Sequence, residues 1–200
     1  MRNRTTAILA ITAATAACTK ELPMTTPASP ATTASTYTTA RTGDVHDFDF
    51  LAGAWTVSNR RLTARGVGST DWDEFPATAC ATLYLDSVAN VDEIRFPTKG
   101  WAGISVRTFD RAKRQWSIYW VNSRDGVLFP PVVGGFDGAV GEFYGEDTDD
   151  GRLVKVRFRW TKHGPDRADW EQAFSTDGAT WETNWTNSFV RADAAACAKP

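Results

Sequence analysis

Two histidines and three cysteines are all that this 200-residue chain offers a soft or borderline metal, and no C-x-x-C pair or Cys/His cluster is among them. That argues against a structural zinc site. His46 precedes the first strand-like run and His163 sits in a Gly-Pro loop, so neither is placed on a strand face as a haem ligand. No Gly-x-Ser-x-Gly elbow is present for a serine hydrolase, and no Walker A or dinucleotide fingerprint appears. No metal or cofactor is expected. Basic runs are absent too: the arginines are scattered and the net charge is −2, which gives no footprint for nucleic acid. The apolar stretch that begins at Ala7 is too short and too threonine-rich to span a membrane.

What the chain does have is aromatic bulk, nine Trp and eleven Phe against two Met. Such side chains favour pleated, half-buried surfaces. From Phe48 onward, short alternating runs are broken by Gly, Asp, Asn and Pro. Trp55, Val57, Asn59 and Arg61 alternate with Thr56, Ser58 and Arg60; Trp116, Ile118 and Trp120 alternate with Ser117, Tyr119 and Val121; Val156, Phe158 and Trp160 alternate with Arg157 and Arg159. Runs are also expected at 72–85 (bent at Pro76), 91–96, 104–109, 127–133, 139–144, 170–174 and 181–190, with a hairpin at Asp149-Asp150-Gly151. About nine or ten strands with turns every 8–12 residues read as all-β, sandwich or barrel. Only residues 45–51 fit a helical turn.

Gly53-Ala54-Trp55 opens the first run and Arg191 closes the last. These bookends favour a single up-and-down antiparallel barrel of lipocalin-like (calycin) type. Trp55 would plug one end, and Arg191 would lie across its indole in a cation–π contact of about 0.5–2 kcal/mol. Closure also removes exposed sheet edges.

The N-terminus reads as a targeting segment. Arg2 and Arg4 precede the apolar stretch, and Thr15-Ala16-Ala17-Cys18 resembles a bacterial lipoprotein cleavage site with Thr15 in place of the usual Leu. Residues 1–18 are therefore expected to be a signal peptide with Cys18 as the lipidation site. Residues 19–44, rich in Thr, Ala, Ser and Pro, form a disordered tether, 45–192 the barrel, and 193–200 a tail. The expected location is the bacterial cell envelope, or the exterior, with the lipid as the contact to the membrane. Cys80 and Cys197 remain as an even pair in an exported chain, a disulfide candidate, with two free thiols as the alternative.

His46-Asp47-Phe48-Asp49-Phe50-Leu51-Ala52-Gly53-Ala54-Trp55, together with Arg107-Thr108-Phe109-Asp110, Val133-Gly134-Gly135-Phe136, Gly141-Glu142-Phe143-Tyr144-Gly145 and Trp181-Glu182-Thr183-Asn184-Trp185, resembles a bacterial calycin-like family, domain-of-unknown-function family 1579. The resemblance covers about residues 45–192. It implies a lipocalin-like β-barrel and no assigned reaction, so it transfers no catalytic residue.

The chemistry-bearing set is polar and lies on strand faces whose opposite faces are apolar. The candidate ligand contacts are Arg107, Tyr119, Glu142, Arg157, Arg159, Glu171, Glu182 and Asn184. In one reading they line the lumen around a polar or anionic ligand, for which the arginine fork is suited. In the other the aromatic face fills the lumen, and the polar set is a solvated wall with cross-strand ion pairs. Loops at 88–96 and 124–136, with Trp101 and Phe129, are the expected rim. Ser175-Thr176-Asp177-Gly178 reads as a capped hairpin turn. The leading functional expectation is a non-catalytic barrel that binds a small molecule. An enzyme using Glu171 or Glu182 with Arg157 or Arg159, or an interaction protein with a packed lumen, are the alternatives.

Overall fold

A computed structural model of the chain describes residues 36–198. The expected leader, Cys18 and most of the tether lie outside the described residues. Ten strands follow one another: β1 (Gly53–Leu62), β2 (Trp72–Tyr84), β3 (Ala89–Phe96), β4 (Trp101–Asp110), β5 (Gln115–Asn122), β6 (Val132–Asp137), β7 (Val140–Asp149), β8 (Arg152–Lys162), β9 (Arg167–Ser175) and β10 (Glu182–Arg191). Each pairs antiparallel with its sequence neighbour, and β10 returns to pair with β1, closing the barrel. Among the described residues no helix is long and apolar enough to cross a membrane.

The period-two patterns decide the strands, and turn chemistry decides where they stop. Asp150 and Gly151 both have positive φ (50° and 76°), as the two-residue β7–β8 hairpin requires. Pro76 precedes the first β2–β3 pair, Thr78 with Arg95, where one flank of β2 is unpaired and a missing N–H is tolerated. The run expected at 127–133 is not a strand up to Pro131. Pro130 and Pro131 interrupt it, and β6 starts at Val132. Gly134 and Gly135, expected in a rim loop, lie within β6 instead.

One end of the barrel is plugged. A 3₁₀ turn, Asp49–Leu51, carries the chain across it. Phe48, Leu51 and Trp55 are fully buried there, and Phe48 meets Trp116, Phe136 and Trp160 edge-on. The Trp55 indole donates its N–H to the Leu51 carbonyl at 2.7 Å. Arg191, opposite Trp55 in the β1–β10 ladder, places its guanidinium carbon 3.8 Å from the centre of the indole. The same guanidinium donates to the carbonyls of Ala52 (2.6 Å), Phe50 (2.7 Å) and Pro165 (2.8 Å). Gly53 has φ +107°, and a Cβ there would lie 3.1 Å from Arg191 Nη1, so glycine suits both the backbone and the passing arginine.

Two segments brace the outside. Residues 36–44, the last part of the expected tether, run along the outer wall. The Gln115 side chain donates to the carbonyls of Thr39 (2.7 Å) and Arg41 (3.0 Å), and the Trp116 indole donates to the Asp44 carbonyl (2.9 Å). At Gly135 a Cβ would come within 2.3 Å of the Thr42 carbonyl carbon, so the strap crosses β6 where there is no side chain. At the other terminus a 3₁₀ turn, Ala194–Cys197, is capped by Asp193 and joined to β2 by a Cys80–Cys197 disulfide.

Candidate ligand-binding lumen

Parity along each strand decides what enters the barrel. Trp55, Val57 and Asn59 of β1, Ile94 and Phe96 of β3, Trp116 and Ile118 of β5, and Val156 and Trp160 of β8 are buried on the inner side. The aromatic face fills the lumen, and most of the polar set is on the outside.

The eight candidate contacts therefore separate. Arg107 alone of the arginines among them points inward, buried and paired with Asp92 and with Asn90 Oδ1 (2.7 Å). Its guanidinium lies 5.1 Å from the Phe48 ring and 5.6 Å from the Trp160 ring. Asn184 lies at a β10 bulge between Thr183 and Trp185 and accepts from the lumen-lining Gln172 amide at 2.8 Å. Glu182 is at the start of β10, at the open end, where it accepts from the Gly66 amide (2.8 Å). Tyr119, Glu142, Arg157, Arg159 and Glu171 have the opposite parity to Ile118, Phe143, Phe158 and Trp170 and belong to the outer wall. Arg157 bridges Glu171 at 2.7 Å, and Glu142 meets Arg41 of the strap at 2.5 Å and Arg159 at 3.8 Å. For these five the reading in which the polar set lines the lumen does not hold and the wall reading does: they are cross-strand ion pairs and their neighbours, several of them buried because the strap and Trp181 lie over them. Glu171 and Glu182 do not face each other, since Glu171 pairs with Thr186 and Glu182 with Phe174. His46 and His163 bond Asp49 and Asp169 at 2.8 Å. Among the described residues no group of three or more His, Cys, Asp or Glu gathers around a metal position.

The interior holds two adjoining spaces. The inner chamber, about 70 Å³, has aromatic walls including Trp120, Trp160, Trp170 and Trp185, and a polar patch of Asp92, Ser105, Arg107 and Asn187. The outer chamber, about 290 Å³, lies at the end away from the plug and is lined by Arg61, Arg65, Arg124, Asp147 and Asp149 with Trp101 and Phe129. Ile118, Trp120, Phe158, Gln172 and Trp185 border both, forming a neck. The Trp185 ring lies 5.6 Å from Trp170, 6.1 Å from Trp101 and 6.3 Å from Trp120, all near edge-on. Residues of the loop from Arg124 to Pro131 line this mouth; none of the segment 88–96 does, since Ala89–Phe96 is β3.

The mouth carries an inward-pointing arginine that the polar-face reading did not single out. Arg61 shares the parity of Trp55, so it points inward at the open end of β1. Its guanidinium lies over the Trp185 ring at 4.7 Å. Burial, reinforced by the charges of Arg65 and Arg124, lowers its pKa from the ordinary value to about 10. Arg65 is held by Asp149 at 2.5 Å, and Arg124 lies 4.4 Å from the Trp101 ring. The signal for Arg61 was in the sequence: a residue at an even spacing from the plugging Trp55 must face the lumen.

No family model matches the chain, and no curated protein matches it. Among solved structures, a redesigned beta barrel aligns with TM-score 0.42 and 11% identity, covering 74% of this chain and 96% of that one. The S-type phycobiliprotein lyase CPES from Guillardia theta aligns with TM-score 0.39 and 10% identity, covering 73% and 90%. Likeness at this level carries no argument about function.

Proposed function

We propose that this protein is a non-catalytic barrel that takes a small molecule through its open end into the lumen. One observation carries the reading: an outer chamber of about 290 Å³ opens at the end opposite the Phe48–Trp55 plug. That is close to the lower bound of about 300 Å³ for small-molecule sites, and its aromatic walls are joined by a charged set of arginines and carboxylates. The inner chamber extends it behind a tryptophan neck. Kinship with lipocalin-like calycins and with domain-of-unknown-function family 1579 belongs to the same proposal, as does export with a lipid on Cys18 that tethers the barrel to a membrane of the cell envelope.

Native mass spectrometry of the purified full chain tests the reading. The expected result is a small-molecule adduct that disappears on denaturation, or one regained from envelope extracts. A chain that retains nothing from either source would favour the packed-lumen alternative, in which the aromatic interior is only a core. For the anchor, mutation of Cys18 to Ser should release the protein from the membrane fraction; unchanged fractionation would refute that part alone.

A further inference from the structure

Among the described residues, Arg61 is an arginine that points into the barrel mouth and makes no ion pair. Arg65 has Asp149, Arg107 has Asp92 and Arg157 has Glu171. Among the described residues no carboxylate lies within ion-pair distance of Arg61; Asp149 and Asp73 act on it only from longer range, and its Nε is buried without an acceptor. Arginine stacked over an indole, as Arg61 is over Trp185, keeps its N–H edge for an acceptor in the plane of the guanidinium. Arg124, also without a carboxylate partner among the described residues, stands over Trp101 in the lining of the same chamber. Burying a charge without a partner is unfavourable, and the space beside this one is a cavity that a ligand can fill.

We propose that the outer chamber binds the negative end of a small monoanion: Arg61 grips its carboxylate from the β1 wall, and the tryptophan neck takes its flat apolar body. The inference rests on the lumen-binding reading and specifies its ligand class. A single charge is indicated because Glu146, Asp147 and Asp149 of β7 and Asp125 of the rim loop line the same chamber, and a dianion would meet those carboxylates. A flat body is indicated because Trp101, Trp120, Trp170 and Trp185 present rings around the passage between the chambers. The lowered pKa of Arg61 is in keeping with this, since an anion would restore the charged form.

The probes are 2-naphthoate and its neutral counterpart 2-naphthamide, titrated calorimetrically into the full chain. The carboxylate is expected to bind about tenfold tighter than the amide, the difference made by one charge-assisted contact. Arg61→Met should erase that difference while still binding the amide, and Arg61→Lys should restore part of it. In the unmutated protein the preference should also fade as pH rises through about 10, which tests the site even if Arg61→Met fails to fold. Equal affinities for the two probes, or a preference unaltered in Arg61→Met, would overturn the anion site and leave the binding barrel standing. Binding of neither probe would overturn both.

Discussion

The seam of the barrel makes the sharpest stability prediction. Arg191 joins four parts of the chain: it lies 3.8 Å from the Trp55 ring, donates to Phe50 and Ala52 of the plug, and donates to Pro165 of the β8–β9 loop. Arg191→Ala removes a cation–π contact of about 0.5–2 kcal/mol and three charge-assisted bonds. Charged hydrogen bonds contribute about 1.5–3 kcal/mol each, but carbonyls that water can reach recover part of this, and the terms are not additive. A total loss of about 3–5 kcal/mol follows, equivalent to roughly 6–20 °C in Tm for a domain of this size. Arg191→Lys keeps the charge and loses the fork, so it should fall between the two. The assay is urea unfolding with the disulfide intact, followed by tryptophan fluorescence and far-UV circular dichroism. Trp55→Leu and the double variant complete a cycle that isolates the stacking energy. A loss below about 1 kcal/mol for Arg191→Ala would refute the claim that this residue seals the barrel.

Further outcomes are expected elsewhere. Arg61→Met should stabilise the ligand-free protein at pH 7 by about 1 kcal/mol, because a half-buried charge without an ion pair is replaced by an apolar chain of similar length. The folded pKa is lowered, so charged Arg61 opposes folding at neutral pH; the gain should shrink as pH rises above about 10, as thermal melts across pH would read. Reducing Cys80–Cys197, whose partners are 117 residues apart, should lower stability by about 2–5 kcal/mol, measured by unfolding with and without reductant. Asp177 is held well below the usual carboxylate range, first by the Thr180 amide and then by the Ala179 amide and the Ser175 hydroxyl. Its contribution is present above the ordinary carboxylate pKa and lost as pH falls through the lowered one, so the Tm gap between the unmutated protein and Asp177→Ala should close in strong acid. At Gly103 a Cβ would lie 2.0 Å from the Trp120 ring. Gly103→Ala should therefore shift Trp120 in the neck and weaken naphthoate and naphthamide alike; unchanged titrations would show that the neck is not on the ligand path.

Alternation, turn residues and the two bookends were enough to read about nine or ten antiparallel strands as a closed barrel, because period two and φ > 0 turns are local properties that need no knowledge of the rest of the chain. Trp55 and Arg191 meet, and Cys80 meets Cys197, for reasons already visible in their types and places. Local pattern ran out at the question of which face turns inward. An amphipathic strand has two labelled faces, and only closure with a given register assigns one of them to the lumen. Glu142 and Arg157 are buried like lumen residues yet sit outside, because the strap of residues 36–44 and Trp181 cover them, contacts made across long stretches of sequence. Arg61 looks, in the sequence, like one more polar residue of a strand. It becomes an inward charge without an ion pair only when β10 brings Trp185 beneath it and the fold sets Arg65 and Arg124 beside it, with Asp149 and Asp73 acting on it only from longer range. Strand identity is thus written residue by residue, whereas the unpaired charge in the mouth exists only once the sheet has closed.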